Sequence, residues 1–500
     1  METVINFLSA LSGFVWGPVM LVLLIGVGLY LTVSLKFFTF FHIPLAFKNI
    51  MGGNKKGDGS GEISPFSALM TALAGTIGTG SIAGVATAIF WGGPGALFWM
   101  WITALVGMTT KFCEILLSVY YRKKTANGSY VGGSMFFIER GLGPKFKILS
   151  IMFCTFCILA CFGTGNMIQS NTIAESLKGS FNISSEYTAV ALFFIAGAVI
   201  LGGVKRIGEF ASKVVPFMAF LYIGISVTVF IMFYDKFFDV LAMIVEDAFT
   251  GTAVQGGFAG STIMLAIRYG MARGVFSNEA GLGTAPIAHA ASTNKCAVDQ
   301  AIFGMLDTII TTIIVCSMTG FTIIITGMWT SPEQLNGATL AAASYSFAIP
   351  HGDKIVTVCL LFFAFTTILS WSLYGERCCI YLFGEKSIKY FRYIYVILVP
   401  LGAISQLDVI WLISDCANAL MAIPNLIGIL LLSPVILRLV EKYKREGNVP
   451  SFDESEEMGH PHWKQVIHDL MPHHMPHMPH LHHEQPMQQL QQKQQTQRID

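Results

Sequence analysis

Charge is what this chain has least of. Only 12% of its 500 residues are charged, against 53% hydrophobic. Soluble domains carry about 25% charged residues to cover their surface. The shortfall excludes a soluble globular enzyme and leaves an all-α polytopic membrane protein. A net charge of +1 supplies no field for nucleic acid. Neither G-x-x-x-x-G-K-[ST] nor H-E-x-x-H occurs, so no ATP motor and no zinc protease is indicated. Without an ATPase, uphill transport has to draw on an ion gradient. The first residues lack the marks of a signal peptide: Glu2 is present, no Lys or Arg precedes the first apolar run, and no small-x-small site follows it. The ten cysteines lie scattered in apolar segments, so no disulfide framework is implied. Cys154, Cys157 and Cys161 share one helix face and read as packing.

Long apolar runs are what the chain has in abundance. A helix needs about 20 apolar residues to cross a bilayer. Eleven spans are predicted: 17–41, 66–92, 94–121, 147–170, 187–204, 210–233, 257–280, 298–328, 355–376, 390–406 and 410–437. With the N-terminus outside, the stretches 42–65, 122–147, 205–213, 268–297 and 377–392 carry nineteen Lys and Arg. The opposite stretches carry three: Lys178, Lys236 and Lys354. This bias obeys the positive-inside rule and puts the C-terminus in the cytoplasm.

Glycine interrupts two of the spans. In the second, Gly75, Gly78, Gly80 and Gly84 lie mid-membrane with Thr76, Thr79 and Ser81 between them. Irregular backbone at that depth survives only where it lines a cavity or is buried in protein. The cluster predicts an unwound helix, although Gly80 and Gly84 also fit a small-xxx-small contact. Gln255, Gly256, Gly257, Gly260 and Ser261 open the seventh span, five spans later. Paired interruptions at corresponding places point to inverted repeats, here spans 2–6 and 7–11 with span 1 extra. The chain then divides into 1–65, 66–256, 257–445 and a tail, 446–500. Half-helix N-termini suit a carboxylate, and freed carbonyls suit a small cation.

Other polar groups at membrane depth are candidates by position. Thr366, Thr367 and Ser370 offer hydroxyls to a cation, or bond back to their own helix. Gln169, one turn from Asn166, suits a zwitterion or an interhelical hydrogen bond. Trp371 walls a small pocket or belongs to the core. Asp307 is a proton or cation site, or pairs with a neighbouring helix. Lys111 and Glu114 are expected to snorkel or pair locally at the cytoplasmic end of span 3. Asp415, Asn418 and Asn425 stay unplaced. The tail holds nine of the twelve histidines. His473, His474, His477 and His480 offer a speculative metal collector; a plain disordered tail explains them equally, since prolines recur and no Cys or acidic cluster completes a site.

The chain resembles the alanine or glycine:cation symporter family, the prokaryotic sodium:alanine symporters. The resemblance rests on Gly75-Thr-Ile-Gly-Thr-Gly-Ser-Ile-Ala-Gly, Gly92-Gly-Pro-Gly-Ala-Leu-Phe-Trp-Met-Trp, Arg273-Gly-Val-Phe-Ser-Asn-Glu-Ala-Gly-Leu-Gly-Thr-Ala-Pro286 and Trp371-Ser-Leu-Tyr-Gly-Glu-Arg-Cys378. It covers about residues 10–440 and implies a LeuT-like five-plus-five fold with one extra helix and broken helices at spans 2 and 7. It further implies a non-enzymatic symporter of the bacterial cytoplasmic membrane, coupling Na⁺ influx to uptake of alanine or glycine. Na⁺ is the co-transported ion and no cofactor is needed; the oligomeric state is left open, a monomer being sufficient for the mechanism. By this similarity Gly78, Thr79 and Gly80 hold the substrate carboxylate. Ala74 and Ile77 offer carbonyls, and Thr366 and Thr367 hydroxyls, to sodium. Gln169, Thr367 and Trp371 match pocket positions. Phe276, Asn278 and Glu279 have no such assignment beyond a guessed cytoplasmic gate. Ser81 stands where the family usually has Asn, which makes room for a larger substrate such as glutamine. Coupling to H⁺ through Asp307 or Glu376, a non-transporting sensor signalling through the tail, and a metal-ion carrier are the rival readings.

Overall fold

The computed structural model describes residues 2–51, 61–126, 128–250 and 263–451. Among them, eight helices are long and apolar enough to cross a membrane, and a ninth span is a bent pair. Two more expected spans correspond to shorter helices, Ser185–Ile200 and Ile263–Asn278. The tail histidines and the glycine run 255–262 lie outside the described residues.

The bent pair is the expected second span. Ser64 caps its first half: Ser67 N donates to Ser64 Oγ at 3.0 Å, and Pro65 follows at the first helical position. The half-helix Pro65–Thr76 stops at Ile77. The chain resumes in a wide π turn, Gly80–Gly84, and continues as Val85–Gly92, bent 52° from the first half. Gly93, at φ 71°, ends it with a conformation that a side chain would resist.

A second interruption follows Ile263–Asn278, at the opposite end of the span from the glycine run. Glu279 takes φ 54°, Gly281 φ 90° and Gly283 φ 80°, before a short helix Ala285–Ala290. Wide π turns also lie within the fourth span, at Gly163–Met167, and the eighth, at Ile309–Cys316. Such turns re-aim side chains and recur at functional sites.

Some expected limits shift. The ninth span runs Gly352–Phe383, beyond 355–376, and the last ends at Leu431, where Ser433–Glu446 begins as a separate helix. The helix Ile263–Asn278 starts beside the Gly92–Gly95 turn: a Cβ on Gly92 would lie 3.1 Å from Ala266 Cα and 3.2 Å from Leu265 O. Arg268 and Arg273 therefore lie within that helix and not in the loop in which they were counted. Moving two of nineteen charges leaves the asymmetry standing.

Lys111 overturns its expectation. It does not snorkel: it is fully buried in the helix Gly95–Tyr120, with Nζ 3.0 Å from Asp307 Oδ2. Glu114 is buried too, accepting Asn425 Nδ2 at 2.6 Å. A buried lysine has no water to reach, and only a carboxylate makes its burial tolerable.

Candidate functional site

The break in the second span, the second interruption, the fourth-span π turn and the long helix Gly352–Phe383 meet around one small cavity. It measures about 20 Å³, room for about one water molecule. Gly78, Thr79, Gly80, Gln169, Thr367 and Trp371, all proposed from sequence, line it. Thr76, Thr164, Phe276, Glu279, Leu282 and Asn418 line it as well.

The long helix is stitched to the first half-helix by two hydroxyls one turn apart. Thr367 Oγ1 lies 3.1 Å from Ala74 O and 2.9 Å from Phe363 O, and Ser370 Oγ donates to Thr71 O at 2.7 Å. A hydroxyl and two carbonyls therefore converge at the end of the half-helix, where backbone carbonyls lose their helical partners. Thr366 faces elsewhere: its Oγ1 bonds back to Phe362 O and Phe363 O at 3.0 and 3.1 Å, and meets Met218 Sδ at 3.6 Å. Ile77 is buried at the stop itself.

On the other side of the break, the second half begins at Thr79: Gly78 N donates to Thr76 O at 3.0 Å and Ser81 N to Gly78 O at 3.1 Å, while the N–H groups of Thr79 and Gly80 have no preceding turn to donate into. Gln169 Nε2 donates to Thr79 Oγ1 at 3.2 Å and to Thr164 O at 3.0 Å. Asn418 Nδ2 donates to Thr164 Oγ1 at 2.8 Å. The carbonyl oxygens of both amides, Gln169 Oε1 and Asn418 Oδ1, are buried without a partner among the described residues. Glu279 completes the acceptor set: its carboxylate takes Trp371 Nε1 at 3.1 Å and Thr284 Oγ1 at 2.6 Å. Unpartnered buried acceptors are costly, and a ligand rich in N–H donors removes that cost.

Ser81 is not brought into the cavity wall. Its Oγ lies 3.1 Å from Ser277 Oγ, and its carbonyl accepts Thr319 Oγ1 at 2.8 Å. Asn166 is turned away as well, donating to Tyr395 O at 2.7 Å. Both carboxylates named for proton coupling hold a cation: Asp307 pairs with Lys111, and Glu376 with Arg392 at 2.6 Å.

Sequence reasoning gave Glu279, Thr164, Phe276 and Leu282 no place in the pocket and left Asn418 unplaced. The available signal for Glu279 was its position before two closely spaced glycines, 281 and 283. Phe276 also lines a larger cavity of about 230 Å³ with Trp16, Arg268, Arg273 and Asp415, so its ring stands between the two.

A family model described as the sodium:alanine symporter family matches residues 1–454. The chain belongs to that family. It is 44% identical over 437 residues to a sodium/alanine symporter of Methanococcus maripaludis, covering 87% of this chain and 96% of the relative. It is 32% identical over 440 residues to a protein named "Probable sodium/glutamine symporter" from Bacillus subtilis, covering 87% and 90%. Among solved structures, MhsT in complex with L-phenylalanine aligns over 82% of this chain and 95% of its own, with a TM-score of 0.54 and 12% identity. That likeness shows the fold, which is LeuT-like with broken helices. Membership in the family makes the chain a multi-pass membrane transporter that couples sodium to amino-acid symport.

Proposed function

We propose that this family member imports a small neutral amino acid, alanine or glycine, with Na⁺ across a bacterial cytoplasmic membrane, its N-terminus outside. The observation that carries the reading is the single small cavity in which the unwound segment, Gln169, Thr367 and Trp371 meet. Sodium is held at the end of the first half-helix by the Ala74 and Ile77 carbonyls and Thr367. Bound there, it holds the long helix against the break. The amino-acid carboxylate docks on the free N–H groups of Thr79 and Gly80, where the second half-helix presents its positive end; Gly78, whose N–H donates to Thr76 O at 3.0 Å, leaves room beside them. The ammonium finds Glu279, Gln169 Oε1 and Asn418 Oδ1.

Trp371 and Phe276 limit side-chain size. Ser81 lies outside the cavity wall, so Ser in place of the family's Asn does not enlarge the pocket, and alanine is favoured over glutamine. Seating even alanine requires these walls to part, which alternating access supplies. The larger cavity beyond Phe276 offers a way in.

The test is radiolabelled alanine uptake into proteoliposomes under a Na⁺ gradient, an H⁺ gradient or neither, competed by glycine and glutamine. Concentrative uptake with Na⁺ alone, blocked by glycine more strongly than by glutamine, is the expected result. Uptake driven by H⁺ in the absence of Na⁺ would overturn it.

A further inference from the structure

The mechanism above leaves a buried lysine unused. Lys111 is the only buried lysine among the described residues. Apart from Asp307 Oδ2 at 3.0 Å, its Nζ has no polar partner there. The other oxygen of Asp307 accepts Thr76 Oγ1 at 2.5 Å and faces Thr311 Oγ1 at 3.4 Å; the two threonine hydroxyls lie 3.1 Å apart. Thr76 is the last residue of the first half-helix and lines the cavity. A single carboxylate and a single hydroxyl thus connect the ammonium to the break.

A helix C-terminus is the negative end of its dipole and draws cations. At this one stands a group of oxygens around Asp307, whose Oδ2 meets Lys111 Nζ and whose Oδ1 takes the hydroxyls of Thr76 and Thr311. Such a set, around a buried carboxylate, demands a positive charge. Lys111 supplies it from a neighbouring helix and never leaves. The other two carboxylates near the site do not compete for it at close range: Glu114 is held by Asn425, and Glu279 by Trp371 and Thr284.

Resting on the symport reading above, we propose that Lys111 is a tethered cation. It fills, at Asp307 beside the half-helix end, the place of a second co-transported sodium ion, and so limits coupling to one Na⁺ per amino acid. A merely structural ion pair affects folding but leaves the order of the Na⁺ dependence alone, and this separates the two roles.

The experiment measures ²²Na⁺ and alanine fluxes together in proteoliposomes of the full chain, with Na⁺ activation curves for variants. For the natural protein the expected ratio is one ion per alanine. Lys111→Met leaves Asp307 with a vacancy that Na⁺ enters, so the Hill coefficient for Na⁺ rises from about one toward about two. Lys111→Arg and the double variant Lys111→Met with Asp307→Asn keep a coefficient of about one, since neither leaves a bare carboxylate. A natural ratio of two ions per alanine overturns the inference alone, and does so even if Lys111→Met fails to fold. A folded Lys111→Met protein with an unchanged Na⁺ order also overturns it. Absence of any Na⁺-driven uptake overturns the symport reading and this inference with it.

Discussion

Gly78 shows how closely the unwound segment lies against the helix behind it. A Cβ added there would sit 2.6 Å from Thr367 Oγ1, nearer than side chains approach one another. Gly78→Ala therefore pushes Thr367 off the Ala74 carbonyl. Overpacking of this kind costs about 1–3 kcal/mol, so the Na⁺ concentration for half-maximal uptake is expected to rise about tenfold or more. Na⁺ activation curves in proteoliposomes check this, and an unchanged curve would remove Thr367 from the sodium site. The glycines and threonines of the break were legible in the sequence because their density is anomalous at membrane depth. The different roles of Thr366 and Thr367 were not. Adjacent residues on a helix point about 100° apart, and only the neighbouring half-helix decides which of them faces the break. Lys111 was misread for a related reason: its partner, Asp307, is distant in sequence, and no periodicity brings them together.

At the scale of the element, helix ends carry the site. Ser64 starts the first half-helix by accepting from Ser67 N. Ser64→Ala removes that cap at a cost of about 1 kcal/mol. The apparent melting temperature in detergent is expected to fall, while the KM for alanine stays unchanged because the cap lies far from the cavity wall. A raised KM with unchanged melting would instead make Ser64 part of the substrate path. The break in the second span could be read from composition. The interruption at the end of the seventh could not be placed the same way, because its first residue is a glutamate in a left-handed conformation. Glutamate tolerates that conformation only when its surroundings hold it, and here Trp371 and Thr284 hold its carboxylate. The glycine run at 255–262 drew attention to the other end of the same span.

At the scale of the whole molecule, most of the polar tail lies beyond the family match. The family model ends at residue 454, before the dense histidines. Deleting residues 452–500 is expected to leave Na⁺-driven alanine uptake within about twofold of the full chain, a shift of under 1 kcal/mol. A larger loss, restored by adding a transition metal to the full chain, would revive the tail as a metal collector. The charge asymmetry between loops survives the relocation of Arg268 and Arg273, so the topology it implies is testable by cysteine accessibility from each side of the membrane. An exposed cysteine at Lys123 should react only from the cytoplasmic face.

The sequence by itself determined the class of molecule, the approximate spans, the unwound second span and the family. Each of these follows from composition or from a contiguous run, which are local properties. Only the tertiary structure decided which polar groups share a wall. It brought Glu279 and Asn418 to Gln169, turned Ser81 and Thr366 away, and gave Lys111 its carboxylate. Those pairings join residues far apart in the chain, and they are set by how helices rotate and approach when they bury their polar groups together.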